Sequence, residues 1–184
     1  MMSKFNVIDT TIDGLKRIIP FVSDDTRGNL VKYFEKTFFE ILGNCDINDV
    51  MISNNAKAGI VRGLHFQTQN PQDKYVFSMG GKIYDVAVDL RRNSPTFGKY
   101  EGFHLEKNQG LFIPKGFAHG YQVLEDNSSV LYLCCGEYLK DFDTGIIYND
   151  ADLDIKWIMD SVIISERDKQ LMTLKDFIVK HKGL

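Results

Sequence analysis

Residues 82–90 read KIYDVAVDL, and the alternation inside this run decides the fold class. In an extended chain successive side chains point to opposite faces. Ile83, Asp85, Ala87 and Asp89 therefore share one face, and Tyr84, Val86, Val88 and Leu90 share the other. The second set is wholly apolar and belongs to a core. The first set carries two carboxylates, which either face water across an antiparallel sheet or face the inside of a barrel, where they need partners. Runs of the same kind lie on both sides: GIVRGLHFQ (59–67), KYVFSM (74–79), EGFHLE (101–106), GLFIPKGF (110–117), HGYQVLE (119–125) and SSVLYLCC (128–135). They are rich in Val, Ile, Tyr and Phe and are separated by GG, NSP, KNQG and EDN, which are turn signals. This spacing predicts an antiparallel sandwich or barrel.

Helical signals sit toward the two ends. NLVKYFEKTFFEIL (29–42) mixes aromatic and charged residues and reads as strand or short helix. ERDKQLMTLKDFIVKH (166–181) opens behind Ser165 and closes on basic residues before Gly183, which predicts a helix over that range, packed back on the barrel. No linker, repeat or low-complexity segment divides the 184 residues, so residues 1–184 read as one domain.

A net charge of −3 and a pI near 5.8 leave no general basic field, which argues against nucleic acid as a partner. An anionic ligand must instead be met by a few placed Arg and Lys side chains. No apolar stretch approaches the roughly 18 residues of a membrane span, and the N-terminus MMSKFNVIDTTIDG lacks the regions of a signal peptide, which predicts a cytoplasmic protein away from membranes. Cys45, Cys134 and Cys135 are odd in number and lack a CxxC spacing, so reduced thiols are expected.

Besides KIYDVAVDL, two motifs carry polar groups inside apolar runs. In GLFIPKGFAHGY, Pro114 and Gly116 make a tight turn and a strand begins near His119, a residue that reads as metal ligand, substrate donor or satisfied core histidine. The chain has four histidines, His65, His104, His119 and His181, with no HxH or HxxxE among them, whereas a metal centre usually converges three or more ligands. In GIVRGLHFQ, Arg62 and His65 stand three apart, which on a regular strand sends them to opposite faces; Gly63 between them is a plausible bulge that re-aims one of them.

These blocks resemble the sugar-nucleotide 3,5-epimerases typified by dTDP-4-dehydrorhamnose 3,5-epimerase. The resemblance rests on RGLHFQ (62–67), NPQDKYV (70–76), DVAVDLRRNSPTFG (85–98), IPKGFAHGY (113–121) and LYLCCGEY (131–138). It continues in order through NDADLDIKW (149–157) and ISERDK (164–169), covering about residues 20 to 170. It implies an all-β cupin or jelly-roll barrel that dimerises by strand exchange and uses neither a metal nor an organic cofactor. The implied substrate is a nucleoside-diphosphate 4-keto sugar, epimerised at C3, C5 or both through an enolate.

That chemistry needs a base poised near neutral pH, an electrophile for the enolate oxygen and an acid across the ring. The resemblance assigns His65 as the base with Asp168 as its carboxylate partner, Lys74 as support for the enolate and Tyr132 as the acid. It makes His119 a sugar contact and Tyr138 a second tyrosine lining the site, and Gln67, at the end of RGLHFQ, joins the substrate-binding set. Arg27 and Arg62 fall near the diphosphate, a bidentate task suited to guanidinium. Asp85 is implied to sit inside the barrel. The chain departs from the family at RGNLVK (27–32) and DVMISNNAKAG (49–59), where many members read RGxFxE and carry QxN; those stretches help to hold the nucleotide and part of the sugar.

Two other readings compete. A ketoisomerase moving the carbonyl between C3 and C4 would also use a histidine base near a tyrosine, but RGLHFQ with Lys74 and the AHG block favours the epimerase. A non-catalytic sugar-nucleotide-binding barrel would be signalled by loss of His65, Lys74 or Tyr132, and all three are present.

Overall fold

A computed structural model describes residues 5–43 and 46–184. The strands, in chain order, are β1 (Asn6–Asp9), β2 (Lys16–Ile19), β3 (Phe21–Asp25), β4 (Gly28–Lys32), β5 (Ile47–Asn55), β6 (Val61–Gln67) and β7 (Asp73–Gly80). They continue as β8 (Ile83–Asp89), β9 (Tyr100–Leu105), β10 (Gln109–Ile113), β11 (Phe117–Val123), β12 (Ser128–Cys135) and β13 (Asp143–Gly145). Helix α1 spans Lys36–Leu42 and α2 spans Leu174–His181. One sheet has the order β1-β2-β10-β7-β12-β5, the facing sheet has β13-β6-β11-β8-β9, and β3 pairs with β4 in a separate hairpin. Neighbours far apart in sequence, such as β10 beside β2 and β13 beside β6, wind the chain into the jelly-roll barrel.

Each sequence run from residue 59 to 135 that alternates apolar and polar forms a strand, and the order of the sheets explains why. Val76, Leu111, Ile113 and Val130 of one sheet meet Ile83, Ala87, Phe117 and Tyr121 of the other in the central core. Both faces of β8 are buried. The Tyr84, Val86, Val88 and Leu90 face is core, as its composition demands, but packs outward against Leu64, Leu153, Ile155, Leu174 and Phe177. The Asp85 and Asp89 face points into the barrel, with both carboxylates wholly inaccessible. The outer face of the six-stranded sheet is covered by α1, whose Phe39 packs on Tyr75 at 4.0 Å between ring centroids.

Two helical expectations change. NLVKYFEKTFFEIL divides between the end of β4 and α1. The C-terminal helix begins at Leu174 rather than at Glu166, because Asp168 is drawn inward to the barrel and Met172 bridges to Ile146. Its cap is Thr173, whose Oγ1 accepts from Asp176 N–H at 3.1 Å in a reciprocal capping box. Phe177 is fully buried, so α2 does pack on the barrel.

The expectation of reduced thiols also changes. Cys134 is a free, buried thiol, whereas Cys135 is disulfide-bonded; Cys45 lies outside the described residues. An odd cysteine count constrains pairing only through geometry, which spacing along the chain does not reveal. Among the described residues, no helix is long and apolar enough to cross a membrane.

Asp89 closes the loop after β8. Its carboxylate accepts from Arg91 N (3.0 Å), Nε (2.9 Å) and Nη2 (2.7 Å), and from Ser94 and Thr96 hydroxyls. Burial alone would raise its pKa, but these donors outweigh burial and hold it at about 2, against an ordinary 3.8. A depressed carboxylate contributes stability that is full above the ordinary value and is lost as pH falls through the folded one. Asp89→Asn is therefore expected to lower stability by about 2 kcal/mol at pH 7. In urea unfolding that gap from the parent should close between pH 4 and about 2; a gap of the same size at both ends would remove this ion pair from the account.

Candidate active site

A cavity of about 490 Å³ opens between the two sheets. The five-stranded sheet supplies Arg62 and His65 from β6, His119 from β11 and Asp143 from β13; the six-stranded sheet supplies Lys74 from β7, Tyr132 and Cys134 from β12, and Met51 to Ser53 from β5. Tyr138 lines the cavity from the loop after β12.

The bulge expected at Gly63 is present. On β11, His119 and Tyr121 stand two residues apart, yet they pair with His65 and Arg62, which stand three apart on β6, and the register shifts between the two pairs. The extra residue brings Arg62 and His65 to the same cavity. Gly63 has φ of 106°, a conformation that disfavours any side chain. A Cβ built there would stand 2.6 Å from the His119 carbonyl oxygen and 2.8 Å from Gly120 Cα.

Asp168, in a short 3-10 turn, reaches His65 across 103 residues of chain: its Oδ1 lies 2.8 Å from Nε2. Its Oδ2 accepts the Gly63 N–H at 3.2 Å, so one carboxylate fixes both the ring and the bulge. Burial acts to raise the Asp168 pKa, but the His65 hydrogen bond and charge, the Gly63 amide and Arg167 prevail and hold it below the usual range. An ionised Asp168 accepts the Nε2 proton and leaves Nδ1 as the basic ring nitrogen.

A second imidazole–carboxylate pair lies deeper. His119 Nε2 is 2.9 and 3.0 Å from the two oxygens of Asp85, which does not itself line the cavity. The His119 ring meets Tyr132 edge-on at 5.8 Å. Burial pushes the Tyr132 phenol well above its ordinary pKa, with Tyr121 and Asp85 adding to the shift, so it is a protonated hydroxyl at neutral pH. Burial pushes the Lys74 ammonium down, while Cys134, Asp143 and Asp85 oppose that shift. Lys74 lies opposite Cys134 in the β7–β12 register, two positions along from the Tyr132–Val76 pair.

Other residues read from the sequence are placed differently. Gln67 does not line the cavity: its amide donates to the carbonyls of Asn70 (2.8 Å) and Glu137 (3.1 Å) and accepts from Leu139 N–H. These bonds hold the loop that carries Tyr138. Arg27 sits at the tip of the β3–β4 hairpin, paired with Asp25 and 89% exposed, and is not brought to the cavity of its own chain. Tyr138 donates to Asp143 Oδ2 at 3.1 Å, which also accepts from Arg167 at 2.7 Å. Among the described residues, no group of three or more His, Cys, Asp or Glu could hold a metal ion.

Met51, Ser53, Gln72, Cys134 and Asp143 also line the cavity; the first four fall within stretches on which the resemblance is judged, but it does not single them out as site residues. The alternation of DVMISNN, together with its place where the family carries QxN, is the signal that could have placed β5 at this wall. Asp143, in KDFDTG, belongs to no recognisable pattern.

The fold and this cavity define an isomerase of the nucleotide-sugar epimerase class built on a jelly-roll barrel. The family model described as dTDP-4-dehydrorhamnose 3,5-epimerase matches residues 9–176, and the chain belongs to that family. It is 39% identical over 181 residues to the dTDP-4-dehydrorhamnose 3,5-epimerase of Methanothermobacter thermautotrophicus, covering 95% of this chain and 97% of that one. Its structure is similar to the dTDP-6-deoxy-D-glucose-3,5-epimerase of Legionella pneumophila solved with dTDP-4-keto-L-rhamnose (TM-score 0.89, 37% identity, 94% of each chain). It is also similar to a 3'-monoepimerase of Streptomyces bikiniensis solved with dTDP-quinovose (TM-score 0.84, 28% identity, 91% of this chain and 87% of that chain).

Proposed function

We propose that the chain, residues 1–184 acting as one unit, epimerises a dTDP-linked 4-keto sugar by removing a proton alpha to the ketone and returning one to the opposite face. The observation that carries this reading is that His65 and Tyr132 line one cavity from opposite sheets, with Lys74 beside the tyrosine strand.

His65 Nδ1 takes the alpha proton, and the imidazolium that forms is stabilised by Asp168 at 2.8 Å. Charge moves onto the C4 oxygen, where Lys74 and His119 meet it; the His119 ring is held by Asp85 with its Nε2 occupied. Tyr132 gives its phenolic proton to the carbanion carbon on the far face. Arg62, anchored through Nε to Asn55 Oδ1 at 2.9 Å, takes the diphosphate, and Tyr138 borders the sugar.

The same reading makes the protein a homodimer. Among the described residues the β3–β4 hairpin forms no sheet with the barrel, and its exposed Arg27 is suited to complete the cavity of a partner. Edge strand β5 exposes Val50, Met51 and Ile52 beside the cavity mouth, an apolar strip that a second copy would cover.

The test is incubation with nucleoside-diphosphate 4-keto sugars in deuterated water, with NMR showing which carbons gain deuterium and which invert. Tyr132→Phe is expected to retain deuterium uptake at C3 while completed inversion falls by roughly 10²-fold or more. Unchanged product formation in that variant would take tyrosine out of the acid role. The same spectra distinguish inversion at C3 from inversion at C3 and C5.

A further inference from the structure

Asp143 takes no part in the proton transfers, yet it lines the cavity from β13 with a side chain only 15% exposed. One of its oxygens is committed: Oδ2 accepts the Tyr138 hydroxyl at 3.1 Å and Arg167 Nη2 at 2.7 Å. Oδ1 accepts no hydrogen bond from any described residue. Tyr138 is fixed around the same carboxylate. Gln67, the register partner of Asp143 on β6, bonds to the carbonyl of Glu137 and the amide of Leu139, the residues on either side of Tyr138. Because the one proton of the phenol goes to Asp143, its oxygen too is left as an acceptor.

A carboxylate paired with arginine has no proton to give, so whatever it meets in the cavity must be a hydrogen-bond donor. When a ligand displaces water from the cavity, an acceptor left without a donor weakens binding. The diphosphate of a nucleotide sugar offers no donor at neutral pH and repels a carboxylate, whereas the sugar ring carries hydroxyls. The register points the same way. Along β6 the order is Arg62, His65, Gln67; Gly145 stands opposite His65 and Asp143 opposite Gln67. The carboxylate therefore lies beyond the base, on the side away from the arginine read as the diphosphate anchor.

We infer that Asp143, with the Tyr138 oxygen beside it, is a specificity site that accepts a hydrogen bond from a ring hydroxyl of the sugar. The inference rests on the reading of this cavity as an epimerase site with the diphosphate at Arg62. Arg167 offsets the charge of the carboxylate and, with Tyr138, holds Oδ2 so that Oδ1 is the free acceptor. A site built to bond a hydroxyl rejects the sugar that lacks it, because the acceptor is then left unpaired.

The experiment measures kcat/KM for deuterium uptake alpha to the ketone, using a nucleoside-diphosphate 4-keto-6-deoxyhexose and its 2-deoxy and 3-deoxy analogues. The full-length parent is expected to prefer the fully hydroxylated sugar over one of the analogues by about tenfold or more, as a hydrogen bond to a charged acceptor provides. Asp143→Asn keeps the size of the side chain but removes its charge, and it should bring that preference to about threefold or less. Tyr138→Phe removes the neighbouring acceptor and the tether on Oδ2; it should lower the preference as well, and it carries the test if Asp143→Asn does not fold. A purely structural role would reduce kcat/KM for all three sugars by one factor. A parental preference in both variants therefore overturns the inference, as does a parent that uses all three sugars equally well. A parent that takes up no deuterium with any 4-keto sugar would bring down the epimerase reading itself, whereas uptake with an unaltered preference removes the hydroxyl site alone.

Discussion

His65→Asn is expected to cut epimerisation by roughly 10²–10⁴-fold, the range a positioned general base contributes. The carboxamide keeps a donor for Asp168, so the buried carboxylate is not stranded, and the variant should melt close to the parent. What it lacks is a nitrogen that can accept a proton near neutral pH. The measurement is deuterium incorporation at C3 from solvent, which needs only proton removal and is independent of the tyrosine acid. Exchange continuing at more than about a tenth of the parental rate would move the base elsewhere, with the Asp85-bound His119 the nearest other imidazole in the cavity.

Gly63→Ala should have the largest structural effect. Its backbone sits at φ 106°, and the added methyl would meet the His119 carbonyl at 2.6 Å and Gly120 Cα at 2.8 Å, both rigid backbone atoms of the neighbouring strand. Strained backbone and overpacking together cost roughly 3 kcal/mol or more. For a chain of this size that corresponds to a melting point lower by about 10 °C. Relief of the clash requires β6 and β11 to separate where Arg62 and His65 are aimed, so activity should fall further than stability explains. A melting point within about 2 °C of the parent would show that the bulge tolerates a side chain.

The prominence of Gly63 is legible in the sequence, because two polar residues three apart in an apolar strand cannot share a face without an irregularity between them. His65, Lys74, Arg62, His119, Tyr132 and Tyr138 are legible through motif order, and the barrel brings all six to one cavity. Gln67 is different: a buried glutamine in a motif looks the same whether it binds ligand or braces a loop, so the sequence reads it as a substrate contact. In the structure its three hydrogen bonds go to backbone groups and brace the loop that carries Tyr138. The C-terminal helix reads too long for a related reason. Its end signals, Ser165 and the basic residues before Gly183, bracket residues 166–181, but the hydrogen bonds of Asp168 to His65 and Gly63 hold the first part of that range out of the helix.

The sequence by itself determined the fold class, because strand alternation is a local property: KIYDVAVDL and its neighbours declare two-faced strands wherever they are placed. It also determined which residue types are available for proton transfer. Which face of β8 turned into the barrel was a tertiary decision, as both faces are buried and only the packing of the C-terminal segment on one side leaves the Asp85 face inward. Tertiary structure likewise set Asp168 against His65 and Tyr121 against Ser53. Those partners lie 103 and 68 residues apart for the pairs His65–Asp168 and Ser53–Tyr121, and no local pattern encodes a contact that forms only when two sheets close on each other.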